Sequence, residues 1–573
     1  MGDSYLDKLS AERKQLQEEG LLPDWYTTGG YQLFLEKYMW AKNPREQYAT
    51  IASTLAQHTD DYDKWNVKFF DLLWKGWLSP STPVLANTGT TRGMPVSCSG
   101  GYIQDSIDGF YSSRRETALL TKYGFGTSAY LGDIRGRGSS ITGGGKASGI
   151  LPVLRGFVQD SRDVSQGGVR RGSWAGYIPI DHQDFDEIAS YLEKDPDDLN
   201  IGWTISNDWL EELEAGNPEA RKRFARALKV KLVTGKGYFW FQNKANAKLP
   251  LYYPIPNLAS NLCTEINLPS DEEHTFTCVL SSMNAAKYDE WKDTDAVFTA
   301  TVFLDCVASE FILRAKEIPG LENAVRFTEK ARALGLGVAG FHTYLQQQGW
   351  SFGSLDAVYF NQQLFEKLDK ESLKASHWMA REWGAPDWVR ATDEQDTDPM
   401  LYRLPYVRNC SRIAVAPTKS TALIMGGISE GINPDPAMIY TQATAGGEVQ
   451  RINPVLLGIM KERKVYDKKH IQEVIEAFGS VQGVEWLTDE EKQVFRTAFE
   501  IDQNVVVRLA AQRGQWIDQW QSLNLFFSAE EDPRVVAQVH KDAFLNPSIL
   551  GLYYLYSKSG VAGSKDNACE ACQ

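Results

Sequence analysis

Long apolar runs, excess positive charge and a dense cysteine framework are all missing from this 573-residue chain. The best apolar run, Ala296–Leu304, is too short to span a bilayer and meets a charge at Asp305. Met1–Gln17 is charged and has no apolar core, so it does not read as a secretory signal. No membrane partner is expected, and a cytoplasmic location is. The net charge of −14 is spread along the chain, which removes the electrostatic reason to hold a polyanion. Nucleic acid is therefore not an expected partner, and a bound nucleotide would need a local site of backbone amides and a few cations. Seven cysteines, at 98, 263, 278, 306, 410, 569 and 572, are too few for a disulfide scaffold. In an intracellular chain that scarcity invites a catalytic or redox reading of some of them.

What is present is ordinary globular material, 43% hydrophobic and 23% charged, which excludes disorder, collagen and coiled coil. The length exceeds the roughly 250–300 residues at which single cores stop growing, so either several domains or one large α/β barrel is implied. Residues from about Tyr5 to Lys75 carry helical apolar spacing, clearest in Tyr31–Met39 and Thr50–Gln57. From Trp77 the texture changes to short apolar strands, glycine punctuation and amphipathic helices, the pattern of one α/β body. The expected division is a helical region over 1–75, a catalytic body over 76–556 and a flexible tail over 557–573. Gly136–Gly149, with six glycines in fourteen residues, reads as a loop. Thr488 with Glu491 forms a capping box for a late helix expected to continue past Arg496. No internal repeat is evident.

Four motifs carry chemistry. The terminal Cys569-Glu-Ala-Cys572 lacks the second ligand pair a zinc site needs, and no other metal site is expected. It reads instead as a dithiol in which one thiolate attacks a disulfide and its neighbour resolves the intermediate. Fifteen residues separate it from Tyr554, a flexible span of about 20 Å r.m.s. and about 50 Å when extended. Such a pair can enter a deep pocket and return to a solvent-borne reductant. In an extended segment, Asn261, Cys263 and Glu265 would share one face, placing an amide, a thiol and a carboxylate together. That set suits proton removal beside a sulfur-centred reaction, and on spacing alone it equally suits a surface strand with a buried cysteine. Pro417-Thr418-Lys419-Ser420-Thr421, opening a helix, permits phosphate binding through free amides and Lys419, or is a plain N-cap. Tyr553-Tyr554, taken by itself, reads as a core or interface pair.

Together these residues resemble the large catalytic (α) subunit of class I ribonucleotide reductase, in a short form lacking the N-terminal ATP cone. The resemblance runs from about Gly20 to the C-terminus. It includes Ser79-Pro-Ser-Thr-Pro-Val-Leu-Ala-Asn87, Ser97-Cys98, Gln104-Asp105-Ser106, Ile134-Arg135-Gly136, Gln166–Gly172, Asn261–Glu265, Cys278, Pro417–Thr421, Tyr553-Tyr554 and the tail dithiol. It implies a ten-stranded α/β barrel with a central finger loop, preceded by a small N-terminal helical region. It also implies a thiyl radical on Cys263, proton transfer to Glu265 and substrate hydroxyls held by Asn261. Cys98 and Cys278 would act as the reductants that close a disulfide, with Cys98 protonating the departing hydroxyl. Cys569 and Cys572 would reduce that disulfide and be recharged by thioredoxin or glutaredoxin. Tyr553 and Tyr554 would relay the radical from a separate β subunit, whose dimetal cofactor supplies it, with no cofactor bound covalently in this chain. Thr82, Ser97 and Thr418–Thr421 would line the ribose and phosphates of a ribonucleotide, most naturally a diphosphate. Asp105 and Arg135 would form the specificity-effector site for a deoxynucleoside triphosphate or ATP at the interface of an α dimer. Cys306 and Cys410 match no family role and read as small buried hydrophobes.

Two departures from the family pattern stand out. The chain starts almost directly with the helical region, so dATP inhibition through a cone is not expected. The segment after Tyr191, Leu-Glu-Lys-Asp-Pro-Asp-Asp-Leu, reads as a shortened loop between effector and substrate. The nearest rival is an adenosylcobalamin-dependent (class II) reductase, which shares the three cysteines but needs no tyrosine relay. A glycyl-radical (class III) enzyme lacks support because the tail has no glycine motif. A non-catalytic nucleotide-binding regulator would leave Cys98, Cys263, Cys278 and the tail dithiol unused.

Overall fold

Four helices, Gly2–Glu18, Thr28–Leu33, Pro44–Ala56 and Tyr62–Trp74, open the chain, as the apolar spacing predicts. Each of the last three starts at a side-chain cap: Thr27, Asn43 and Asp61 accept from free amides of the first turn. The structure, a computed structural model, describes residues 2–164, 172–249, 255–389, 407–444 and 447–558. Thr28–Leu33 packs on the helix Lys419–Ile424 across Gly30. A Cβ on Gly30 would sit 2.9 Å from the Ile424 carbonyl oxygen, so only glycine permits this approach.

The α/β body begins with a short strand, β1 (Leu78–Pro80). Five parallel strands follow, β2 (Cys98–Tyr102), β3 (Gly126–Tyr130), β4 (Trp174–Pro179), β5 (Asn200–Ile205) and β6 (Tyr238–Phe241), paired in that order. The chain then reverses. β7 (Phe276–Asn284) runs antiparallel to both β1 and β2, and β8 (Leu334–Ala339) lies parallel to β7. Residues 411–415 extend the second half, since Leu334 and Leu336 donate to the carbonyls of Ser411 and Arg412. A hairpin, β9 (Ile439–Thr444) and β10 (Gly447–Ile452), then leads a small helical lobe with its own apolar core around Met438, Leu456, Met460 and Val474. The next barrel segment enters at Gln519, whose amide donates to Ile413, and continues into β11 (Leu525–Ser528). β12 (Gly551–Leu552) pairs antiparallel with β6, and β13 (Leu555–Lys558) pairs parallel with β11. Seven strands, β2–β8, and three further extended segments thus form a ring of two antiparallel halves. This is the ten-stranded barrel that the resemblance implied.

Local expectations fail in four places where tertiary contacts override the sequence pattern. Asp305 does not break the apolar run. The helix spans Ala296–Ala315, long and apolar enough to cross a membrane by composition, yet most of it is buried inside the fold. The carboxylate is tolerated because Arg332 (2.8 Å), Arg408 (2.9 Å) and the Asn409 amide (2.9 Å) all donate to it. The helix capped by Thr488 and Glu491 does form, but it ends at Val494 rather than passing Arg496. Buried Phe495 and the Ala498 amide bond to the Asp435 carbonyl pull the chain away. The segment after Tyr191 is not all loop, because Leu192–Lys194 closes the helix Phe185–Lys194. The last strand runs to Lys558, so the body extends just past the boundary expected at Tyr556. The tail pair Cys569 and Cys572 and the Gln166–Arg171 stretch lie outside the described residues. Cys306 and Cys410 are both buried, the latter in one apolar cluster with Cys98 and Cys278.

Candidate active site

The antiparallel seam between the two halves of the barrel aligns β2 and β7 so that Cys98 stands directly opposite Cys278. Opposed residues on antiparallel strands have Cβ atoms about 4.5–5.5 Å apart, and a disulfide requires about 3.5–4.5 Å. A small adjustment therefore closes the bond between these two reduced thiols. Both are buried. Burial pushes the Cys278 thiol well above its ordinary pKa, and the Gln519 amide, 3.4 Å away, pulls in the opposite direction. Gln519 is itself fixed, accepting from the Asn267 amide (3.0 Å) and donating to the Leu334 carbonyl (2.8 Å).

Asn261, Cys263 and Glu265 do converge, though not by strand alternation. The segment is a tight turn in which Thr264 donates its amide to the Asn261 carbonyl and takes a left-handed φ of +67°. The Asn261 side-chain oxygen accepts from the amides of Glu265 (3.1 Å) and Ile266 (3.2 Å), while its nitrogen reaches Cys98 Sγ at 3.4 Å. One side chain therefore ties the turn together and links it to the cysteine on β2. Extended geometry fails here because Asn261 competes for the backbone amides that a strand would use. The Tyr177 hydroxyl on β4 fastens the turn from beneath by donating to the Asn261 carbonyl at 2.7 Å. Burial raises the pKa of this phenol, so it stays protonated as a donor.

Ser522, which the motif reading missed, lies within 2.8 Å of the Cys263 carbonyl and 3.1 Å of Glu265 Oε2. Gln519 and Tyr177 were missed as well. The signal for Ser522 and Gln519 is a polar run rich in amides, Asp518-Gln-Trp-Gln-Ser-Leu-Asn524, which would be odd for an apolar strand, while Tyr177 carries none. Cys263 shares one buried cluster with Tyr553, Tyr554, Tyr177, Tyr238 and Trp240. The Tyr553 and Tyr554 rings lie 4.2 Å apart between centroids.

A cleft of about 1000 Å³ opens above, with Lys419, Gly426, Asn433, Asn524 and Tyr556 in its lining. Asn433 donates to the Ser522 carbonyl, so the cleft floor is one contact from the serine beside Glu265. Thr418 takes a left-handed φ of +57°, and its hydroxyl accepts from the Gly431 amide (2.9 Å). Thr421 is buried, while Lys419 and Ser420 are half-buried. Thr82 and Ser97 are buried and engaged, Thr82 with the Tyr38 hydroxyl (3.0 Å) and Ser97 with Ser81 (2.8 Å). Asp105 and Arg135 form an ion pair of 2.5 Å on the loops that follow β2 and β3. The glycine-rich stretch beside them is the loop the sequence predicts. Asp184 staples its two ends by accepting from the amides of Arg137 and Ile150, both at 2.8 Å. Among the described residues no group of three or more His, Cys, Asp or Glu side chains is placed to hold a metal.

Comparison with known proteins assigns the family. The ribonucleotide reductase all-alpha domain matches residues 25–93, and the barrel domain matches residues 96–219, 210–397 and 405–554. The chain is 32% identical over 542 residues to a Frog virus 3 (isolate Goorha) protein assigned as a ribonucleoside-diphosphate reductase large subunit, covering 88% of this chain and 92% of that one. It is 28% identical over 615 residues to the corresponding large subunit of Invertebrate iridescent virus 3, covering 92% and 93%. Among solved structures, the class Id ribonucleotide reductase α subunit of Actinobacillus ureae superposes with a TM-score of 0.84 at 36% identity, covering 94% of this chain and 98% of that one. These matches exclude the cobalamin-dependent and non-catalytic alternatives. The chain belongs to the ribonucleotide reductase family, as a large catalytic α subunit of class I.

Proposed function

We propose that this α subunit reduces ribonucleoside diphosphates to 2′-deoxyribonucleotides, with Cys263 as the thiyl-radical residue. The observation that carries the reading is the Cys98–Cys278 cross-strand pair, tied through Asn261 to the turn bearing Cys263 and Glu265. The radical is supplied by the dimetal cofactor of a separate β subunit, and Tyr553 and Tyr554 carry it inward.

The Cys263 thiyl takes a hydrogen atom from C3′ and becomes a thiol. Glu265 takes the 3′-hydroxyl proton and returns it to the 3′-oxygen once the cysteine pair has delivered its electrons. The 2′-hydroxyl leaves as water with the proton of Cys98. Cys98 and Cys278 then give up two electrons and two hydrogens in total as their disulfide forms, and Cys263 returns its hydrogen to C3′ to become thiyl again. In this scheme Asn261 orients substrate hydroxyls with its amide nitrogen, which contacts Cys98 in the present structure. Cys569 and Cys572 reduce the disulfide and are recharged by thioredoxin or glutaredoxin in the cytoplasm.

Thr418–Thr421 receive the phosphates, Lys419 from the cleft wall, and Thr82 and Ser97 stand behind the ribose. A deoxynucleoside triphosphate or ATP occupies the Asp105–Arg135 corner in an α dimer. The test is a single turnover with the β subunit from the same source and no external reductant. One Cys98–Cys278 disulfide per deoxynucleotide, found by peptide mass mapping, is expected. Deoxynucleotide formation that survives in Cys278→Ser at the wild-type single-turnover yield would overturn the assignment.

A further inference from the structure

Tyr553 and Tyr554 are both buried, at 2% and 5% exposure, so an oxidant arriving from another subunit does not touch either ring. Tyr238, Tyr553 and Tyr556 all pack on Tyr554, with centroids 5.3, 4.2 and 5.6 Å away. Of these three only Tyr556 is partly open to solvent, and it lines the large cleft. Tyr238 lies on the closed side: it is fully buried and donates its hydroxyl to the Asn200 side chain. Tyr556 is held in place by backbone register. Its strand pairs parallel with β11 so that Phe526 is its direct partner, and the two rings stack at 5.0 Å and 14°. Phe526 has no phenolic proton to release and supports the ring without competing for the oxidising equivalent. On the inner side, the buried Lys231 Nζ donates to the Tyr553 carbonyl and fixes the backbone of the pair.

We propose that Tyr556 is a third relay residue, standing between the radical-generating subunit and the Tyr554–Tyr553 pair. The proposal rests on the relay role assigned above to that pair. Tyr556 loses one electron and its hydroxyl proton to the radical of the β subunit, which is thereby reduced, and becomes a neutral tyrosyl. Tyr554 then restores the electron and proton to Tyr556, Tyr553 restores Tyr554, and Cys263 restores Tyr553. The net transfer is one hydrogen atom from Cys263 to the β subunit, and each tyrosine ends as it began. A ring-to-ring chain suits this task because electron transfer weakens steeply with distance while adjoining rings keep each hop short.

The test uses the full-length chain with the β subunit from the same source, a ribonucleoside diphosphate, an effector and dithiothreitol. Tyr556→Phe keeps the stacking on Phe526 and Tyr554 and removes only the phenolic proton and its easy oxidation. Turnover is expected to fall about 100-fold, equal to ~2.7 kcal/mol in barrier, with substrate and β-subunit affinity unchanged. In parallel, 3-aminotyrosine placed at 556 should give an aminotyrosyl electron paramagnetic resonance signal that requires the β subunit. If Tyr556→Phe turns over like wild type while Tyr553→Phe is inactive, the relay pair stands and the third member is refuted. If Tyr553→Phe also turns over, both fall. A Tyr556→Phe loss without an aminotyrosyl signal assigns Tyr556 to the cleft wall and overturns the proposal.

Discussion

Ser522→Ala isolates one hydroxyl that the geometry places between Cys263, the proposed radical residue, and Glu265, the proposed base. Its oxygen lies 2.8 Å from the Cys263 carbonyl and 3.1 Å from Glu265 Oε2, and it carries a single proton. While Glu265 is ionised the proton is best given to the carboxylate, because a hydrogen bond to a charged group is worth ~1.5–3 kcal/mol against ~1 for a neutral one. The interaction orients Glu265 for the 3′-hydroxyl, so its loss is felt in the chemical step and little in nucleotide binding. At ~1.36 kcal/mol per tenfold, kcat should fall about 10–100-fold. The affinity for the ribonucleoside diphosphate, measured by equilibrium dialysis, should change less than about twofold. The assay is deoxynucleotide formation with saturating substrate, effector, β subunit and dithiothreitol, accompanied by a melting curve. A Ser522→Ala enzyme with wild-type kcat refutes the reasoning. So does a loss confined to substrate affinity, which would make Ser522 part of the cleft floor alone.

Three further outcomes follow from groups outside the reacting set. Burial alone would raise the Asp305 carboxyl, but Arg332 and Arg408 hold it well below the usual range. Its stabilisation is therefore present above the unfolded value near ~3.9 and lost as pH falls through the folded one. Asp305→Ala should cost ~3–5 kcal/mol at pH 7, read by chemical denaturation, because it strips the carboxylate from buried Arg332 and half-buried Arg408. Glu116 is pushed up to about 7 by burial, against a partial offset from the Thr275 hydroxyl. A raised carboxyl stabilises below its unfolded pKa and progressively less as pH rises through 7, so the wild-type melting temperature should drop between about pH 5 and 8 while Glu116→Gln flattens that drop. Gly335→Ala would place a Cβ 2.3 Å from Leu280 and 3.0 Å from Cys278 Sγ. It should cost ~1–3 kcal/mol in stability and slow Cys98–Cys278 disulfide formation, followed by mass mapping after a single turnover.

How much was legible in the sequence differs by residue. The N-terminal helices and the glycine loop could be read because caps, apolar spacing and glycine act within a few residues. Cys263 could be nominated from its neighbours Asn261 and Glu265, whereas Cys98 and Cys278 were nominated only through the resemblance to the family. The relation between Cys98 and Cys278 could not be derived from spacing. It depends on β2 meeting β7 antiparallel in one register, a contact across nearly two hundred residues. Strand alternation brought Asn261, Cys263 and Glu265 together for the wrong reason, since the side chain of Asn261 bonds backbone amides and closes a turn instead.

Asp305 misled for the converse reason. A charge ends an apolar helix only when nothing neutralises it, and its two arginines come from positions 332 and 408. Ser522, Gln519 and Tyr556 carry ordinary residue types, and their meaning comes from what stands beside them. The sequence by itself therefore determined the helical elements and the reactive groups, because propensity and side-chain chemistry are local. Only closure of the barrel decided which thiol faces which, which hydroxyl reaches the carboxylate and which tyrosine meets solvent, because register and burial arise between segments far apart in the chain.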